Sequence, residues 1–169
     1  SRQELQELAR VLKAHSDKIG KAVYLISDDP YKKITFDGVE APNIMEFYQD
    51  SIYITSHSKD IALPGERIGF LAVHPQCESA GLLMAGLIFC NRVLGFVNAP
   101  ALIQRVVKQV QGVTVDVEQY RRKRDYLYNE LTRIGYQVVK PQGAFYFFPK
   151  SPLEDEVKFV KKLADKRCW

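Results

Sequence analysis

Three short apolar runs, each stopped by polar and turn-forming residues, set the tightest limit on how this chain can fold. They are Ala22-Val23-Tyr24-Leu25-Ile26, Ile52-Tyr53-Ile54-Thr55 and Ile68-Gly69-Phe70-Leu71-Ala72-Val73. Runs this short do not make a helix with a buried face, but they suit strands covered by other elements. The first stops at Ser27-Asp28-Asp29-Pro30, the second at Ser56-His57-Ser58-Lys59 and the third at His74-Pro75, all of them turn chemistry. Helical patterns lie between and beyond the runs. The expected fold class is therefore α/β, a layered sheet with helices.

The helices can be placed from spacing. Ser1 and Glu4 have capping-box spacing, and Leu5, Leu8, Val11 and Leu12 then share a helical face that ends near Ser16-Asp17 and Gly20. Gly81 to Phe89 is apolar all round, so it should be buried or form a subunit contact. Pro100 suits the first turn of a helix whose face is Leu102, Ile103, Val106, Val107 and Val110. A longer helix keeps Val113, Val117, Tyr120, Leu127, Leu131 and Ile134 on one stripe, interrupted only by Arg124, until Gly135. Tyr136 to Val139 and Ala144 to Phe148, joined by Pro141-Gln142-Gly143, read as a hairpin. A last amphipathic helix carries Leu153, Val157, Val160 and Ala164. The expected division is a sheet-bearing piece over residues 1–112, a connecting helix over 113–135 and a small α+β piece over 136–169.

Composition removes several function classes. Lys and Arg total 24 against 20 Asp and Glu, a net charge of +4. That excess is small and scattered, which argues against a nucleic-acid partner. The longest apolar run, Ala80 to Cys90, falls short of the roughly 20 residues a membrane span needs, and no basic-then-apolar leader opens the chain. Cys77, Cys90 and Cys168 are odd in number and lack CxxC spacing. The reading is a cytoplasmic protein with neither a disulfide framework nor a zinc site.

Open α/β sheets bind ligands at the carboxyl ends of their strands. One strand end offers Asp28 and Tyr31. The next offers Ser56, Ser58 and Lys59, followed by Gly65, Arg67 and Gly69. Singly these residues say little: an end-of-strand lysine is ordinarily solvated, Asp28-Asp29 could merely start a turn, Tyr31 could be a rim aromatic and Arg67 a surface charge. Together they suit a ligand with a cationic ring nitrogen, a phenolate oxygen, an electrophilic carbon and a phosphate. Pyridoxal 5′-phosphate has all four. Lys59 could form a Schiff base with its aldehyde, Asp28 could hold its ring nitrogen protonated, Tyr31 could donate to its ring oxygen, and Ser56, Ser58 and Arg67 could take its phosphate. His15, His57 and His74 have no ligand spacing and read as structural. Arg121-Arg122-Lys123-Arg124 reads as a solvated helix face partly paired with Glu118 and Asp125. Phe145 to Phe148 read as core and domain-interface packing.

Asp28-Asp29-Pro30-Tyr31, Ser56-His57-Ser58-Lys59 and Pro64-Gly65-Glu66-Arg67-Ile68-Gly69 resemble the class I/II aminotransferases, the aspartate aminotransferase superfamily of fold type I. Tyr120 to Asp125 and Gly143-Ala144-Phe145-Tyr146 extend the resemblance over nearly the whole chain. It implies that Lys59 is the Schiff-base lysine, that Asp28 pairs with the pyridine nitrogen and Tyr31 with the ring oxygen, and that Ser56, Ser58 and Arg67 bind phosphate. Pro30 would lie against one ring face. It further implies a partial large domain with a mixed, mostly parallel sheet, part of the α+β small domain, amino-acid and 2-oxo-acid substrates, and a homodimer in the full-length form.

Parts of the family pattern are not present. The resemblance would place a phosphate-binding turn, a stacking aromatic and an Asn-Pro-x-x-Pro-Thr-Gly stretch ahead of the first helix. It would place the arginine that grips the substrate carboxylate beyond Arg167-Cys168-Trp169. The expectation is an incomplete chain that does not transaminate by itself. Three rivals stay open on sequence: a lyase or cyclopropane-forming synthase on the same scaffold, a non-catalytic aminotransferase-like domain, and a plain α/β interaction module.

Overall fold

The computed structural model describes residues 1–166; Cys168 and the end of the expected 136–169 piece lie outside the described residues. The chain divides into two compact units, Ser1–Val115 and the residues from Asp116 onward.

The first unit opens on α1 (Arg2–Ile19). Ser1 accepts from the Glu4 amide and Glu4 reaches back, closing the expected capping box, and Gly20 ends the helix at φ 65°, a conformation that favours glycine. The buried side of α1 is not the whole stripe read from the sequence. Leu5, Ala9, Leu12 and Ser16 face inward, while Leu8 and Val11 are 40% and 51% exposed. Ala9 packs with Ile44 and Tyr48, flanked by Leu25 and Phe47. The partner surface is narrow, and it selects the Leu5-Ala9-Leu12-Ser16 line from a wider apolar arc.

The sheet has three strands in the order β1 (Leu25–Asp28), β2 (Ser51–Ser56), β3 (Gly69–Val73). β1 and β2 are parallel, with Asp28 opposite Ile54; β2 and β3 are antiparallel, with Ser56 opposite Gly69. Among the described residues the sheet is therefore mixed. Ser51 is wholly buried and its hydroxyl donates to the Tyr48 carbonyl at 2.6 Å. Tyr48 in turn donates from its own hydroxyl to the Val23 carbonyl at 2.6 Å.

α2 (His57–Asp60) follows β2 directly. α3 (Ala80–Val93) forms as the apolar run requires, but none of its residues is buried: Leu82, Phe89 and Val93 are 66–78% exposed. The expectation that this segment is buried inside its own domain is thus not met among the described residues. An apolar run can specify a helix by itself, but covering it on every side takes other elements. α4 (Ala101–Gln109) starts after Pro100 and buries Val107.

In the second unit α5 spans Val117–Arg133, capped by Asp116; Val113 lies outside the helix, in the first unit. Arg124 does not interrupt an apolar face from the solvent side. It is 4% exposed, and its Nη1 donates to the Pro141 carbonyl at 2.8 Å. The expected hairpin is not built as a ladder. The Gln137 carbonyl of the first arm accepts from the Lys150 amide, two residues beyond the second arm, and the described residues show no strand there. Two strands without further pairing gain little in water. Phe145 stacks on Tyr120 at 5.6 Å, but Tyr146 and Phe148 are exposed, so the run is not wholly packing. α6 (Glu156–Asp165) turns Phe159 and Leu163 inward, while Val157 and Val160 face out and Leu153 precedes the helix.

Candidate active site

The topology brings the sequence-selected residues to one rim of the sheet. Parallel pairing puts the carboxyl ends of β1 and β2 side by side, and antiparallel pairing returns the start of β3 to that same end. Asp28 and Ser56 fall on one face, because Asp28 is level with Ile54 and side chains alternate along a strand. Two residues of rise separate their levels by about 7 Å. Asp28 is exposed; Ser56, Ser58, Lys59 and Tyr31 are half-buried. Tyr31 sits in the turn after β1, where its carbonyl accepts from the Ile34 amide at 2.7 Å.

The backbone around Lys59 is tightly held. The His57 amide donates to the Ile68 carbonyl at 3.0 Å, and the Leu63 amide to the His57 carbonyl at 3.1 Å. A Cβ on Gly69 would lie 2.5 Å from the Thr55 carbonyl oxygen and 3.1 Å from the Ser56 Cα. The return strand can reach this close only with glycine there. Ala62 and Arg67 bracket the connecting loop at φ 55° and 50°, each costing on the order of 1 kcal/mol for a residue other than glycine. The Arg67 guanidinium is exposed and donates to the Pro64 carbonyl at 2.7 Å. Its backbone stands at the rim while its side chain is folded back on its own turn.

The opposite face of the sheet carries a polar cluster that the sequence reading left out. Asp60 is buried, and its Oδ2 is 3.2 Å from His57 Nδ1 and 3.1 Å from Lys33 Nζ. Its Oδ1 accepts from the Ile61 amide at 2.9 Å. His57 Nδ1 meets Asp60, and His74 Nδ1 accepts from the Gln76 amide. A cavity of about 150 Å³ opens beside His57 and Asp60, lined by Asp29, Tyr53, Thr55 and Phe70 among others. Burial pushes the Asp29 carboxyl above its ordinary range, partly offset by Lys32, and burial likewise raises the Tyr53 phenol. The signal for Asp60 was present as an acidic residue one helical turn after a histidine, at the i,i+3 spacing where side chains meet.

In the second unit, Arg121 pairs with Glu118 at 2.6 Å and with Asp125 at 2.8 Å, and Arg122 pairs with Glu118. That part of the basic run is the paired surface face expected. Arg124 is the exception, buried as described.

With this geometry in view, comparison with known proteins is decisive at the family level. The sequence pattern of the class I and II aminotransferases matches residues 1–169. The chain belongs to that family. It is 30% identical over 149 residues to the probable N-acetyl-LL-diaminopimelate aminotransferase of Bacillus subtilis, covering 88% of this chain and 36% of that protein. It is 32% identical to the probable aspartate aminotransferase of Methanocaldococcus jannaschii over 85% of this chain and 39% of that protein. The crystal structure of an aminotransferase from Eubacterium rectale superposes with a TM-score of 0.93 at 38% identity, over 98% of this chain and 42% of that one. Aspartate aminotransferase of Thermus thermophilus, as a mutant complexed with tryptophan, gives a TM-score of 0.78 at 26% identity. The fold is thus that of the fold type I aminotransferases, and this class I/II aminotransferase chain spans about two-fifths of its relatives' length. Among its described residues no helix is long and apolar enough to cross a membrane.

Proposed function

We propose that this chain is the lysine-bearing part of a pyridoxal-phosphate-dependent amino-acid aminotransferase, which moves an amino group from an amino acid to a 2-oxo acid. The observation that carries the reading is the rim itself. An amine, two hydroxyls and a guanidinium-bearing residue follow β2 or precede β3, and a carboxylate ends the parallel neighbour. This donor set fits the cofactor's four functional features, and the glycine at position 69 gives the close strand return on which the rim depends.

When bound, pyridoxal phosphate supplies an aldehyde that bonds to amines and a protonated ring that withdraws electrons. Lys59 Nζ would anchor it and, as a free amine, would take the proton from the α-carbon of the donor amino acid and deliver one to the α-carbon of the acceptor 2-oxo acid. Asp28 would hold a positive charge at the ring nitrogen, since an opposite charge within a few ångströms favours the charged form. Tyr31 donates to the ring oxygen. Ser56 and Ser58 donate to phosphate, and Arg67 joins them by exchanging the Pro64 carbonyl for phosphate oxygens, a better partner for a guanidinium. The exposed apolar surface of α3 suits a second copy of the full-length protein, because so large an apolar patch is costly in water.

The test is chemical. Borohydride reduction in the presence of pyridoxal phosphate, followed by digestion and mass mapping, should place the pyridoxyl group on Lys59. A label on another lysine, or none, overturns the assignment. In the longer protein, 2-oxo-acid formation from an amino acid plus 2-oxoglutarate separates amino transfer from a lyase reaction.

A further inference from the structure

Asp60 is the most connected buried carboxylate of the first unit, and nothing in the chemistry above uses it. Its side chain meets His57 Nδ1, Lys33 Nζ and the Ile61 amide. A carboxylate only accepts hydrogen bonds, so His57 presents its Nδ1 proton to it. The Asp60 backbone carbonyl is engaged as well. It accepts from the Val115 amide at 2.8 Å and from Thr114 Oγ1 at 2.9 Å. Lys59 therefore stands between His57, which is bonded to Asp60 and to Ile68, and Asp60 itself, which is held by five partners. α2 is one turn long. A single turn has almost no stability of its own, so these ties, and not helix formation, fix where residue 59 emerges. The His57 and Asp60 side chains border the cavity on the sheet face opposite Asp28 and Ser56.

We propose that Asp60 is a positioning residue for Lys59, acting as a brace behind the sheet that fixes the α2 turn and so aims the lysine at the rim. The proposal rests on the assignment of Lys59 above, so its test has one arm that needs the cofactor and one that does not. Removing the brace has opposite effects on two reactions of the same amine. A loosened turn exposes Lys59 to a small reagent, yet misaims it for a ligand held at the rim.

The experiment compares the wild-type chain with Asp60→Ala, Asp60→Asn and Thr114→Val. Acetic anhydride labelling is read by mass spectrometry as the ratio of Lys59 to Lys158, which lies on α6. Borohydride trapping with pyridoxal phosphate is read as the rate of pyridoxyl incorporation at Lys59. Asp60→Ala should raise the labelling ratio and slow trapping about tenfold, the scale of losing one hydrogen bond to a charged group. Asp60→Asn, which keeps an acceptor for Ile61 and His57, should restore most of the trapping rate. Lys158 is exposed and lies in the second unit, so it serves only as the standard for reagent dose. General loosening of the first unit is read by denaturant unfolding, and a fall in stability large enough to account for the extra Lys59 labelling overturns the brace. Thr114→Val removes one tie from the outside of the brace, so it serves if Asp60→Ala does not fold; it should shift both readouts in the same directions by a smaller factor. An unchanged ratio and an unchanged trapping rate in folded variants overturn the brace. A changed ratio with no trapping at Lys59 even in the wild-type chain upholds the brace and overturns the cofactor assignment instead.

Discussion

Gly69 stands directly across the antiparallel pair from Ser56, with no room for a side chain: a Cβ there would meet the Thr55 carbonyl at 2.5 Å. Backbone cannot retreat as a flexible side chain can. Gly69→Ala should therefore cost about 1–3 kcal/mol of stability, as overpacking does, and shift the turn that carries Lys59. Gly65→Ala is the control, because a Cβ at Gly65 meets nothing within 4 Å. Denaturant unfolding of the two variants should differ by that amount. Equal stability would mean that β3 adjusts freely and that the glycine is not what permits the close return.

Tyr48 ties α1 to the entry of β1. Its hydroxyl donates to the Val23 carbonyl at 2.6 Å and lies 3.4 Å from Ser16 Oγ, which itself accepts from the Val23 amide at 3.0 Å. Tyr48→Phe keeps the ring among Ala9 and Ile44 but leaves the Val23 carbonyl without that donor. A loss of about 1–2 kcal/mol is expected, measured by thermal or denaturant melting. A neutral effect would show that water replaces the hydroxyl.

These residues also mark how far the sequence could be read. The strands were legible because an apolar run of fixed length, bounded by turn chemistry, is a local signal. The rim was legible because Asp28, Ser56, Ser58 and Lys59 sit at the ends of those runs. What failed was everything decided by distant partners. Leu8 and Val11 look like Leu5 and Leu12 in the sequence, and only the narrow surface of Ile44 and Tyr48 separates them. Arg124 looks like Arg121 and Arg122, but it is buried against the Pro141 carbonyl seventeen residues on. Asp60 needed Thr114 and Val115, whose approach no local pattern announces.

The acid response of α5 can be assigned to Glu118. Hydrogen bonds from Arg121, with Arg122 adding to them, lower its carboxyl from an ordinary 4.5 to about 2. A carboxylate depressed in the folded state stabilises above its unfolded value, and the effect is lost as pH falls through the folded value. The window therefore runs from about 4.5 down to about 2. Far-ultraviolet circular dichroism across that window should show helix loss that is smaller in Glu118→Gln, which has no proton to take up. The pair is on the surface, so the effect should also shrink in high salt. An acid transition identical in the variant would move the assignment to another group, Asp125 first, since Lys140 holds its carboxyl below the ordinary range too.

Asp28 separates electronics from architecture. It is exposed at the end of β1, on the sheet face it shares with Ser56, so Asp28→Asn changes the charge there with little change in size. Surface changes of that kind stay within about 0.5 kcal/mol of the parent stability. The cost in chemistry is far larger if the carboxylate faces a ring cation. Two unit charges about 4 Å apart at an effective dielectric near 20 attract by about 4 kcal/mol, which is close to a thousandfold in rate when the interaction is needed at the carbanion-like stage. In the longer protein, Asp28→Asn should therefore lower turnover by about that factor with an unchanged melting temperature, and pyridoxal phosphate should still be trapped at Lys59. Stability and attachment report the architecture, and turnover reports the charge. Normal turnover in Asp28→Asn would remove this residue from the ring nitrogen; a large fall in melting temperature would show that the carboxylate holds the strand end and not the cofactor.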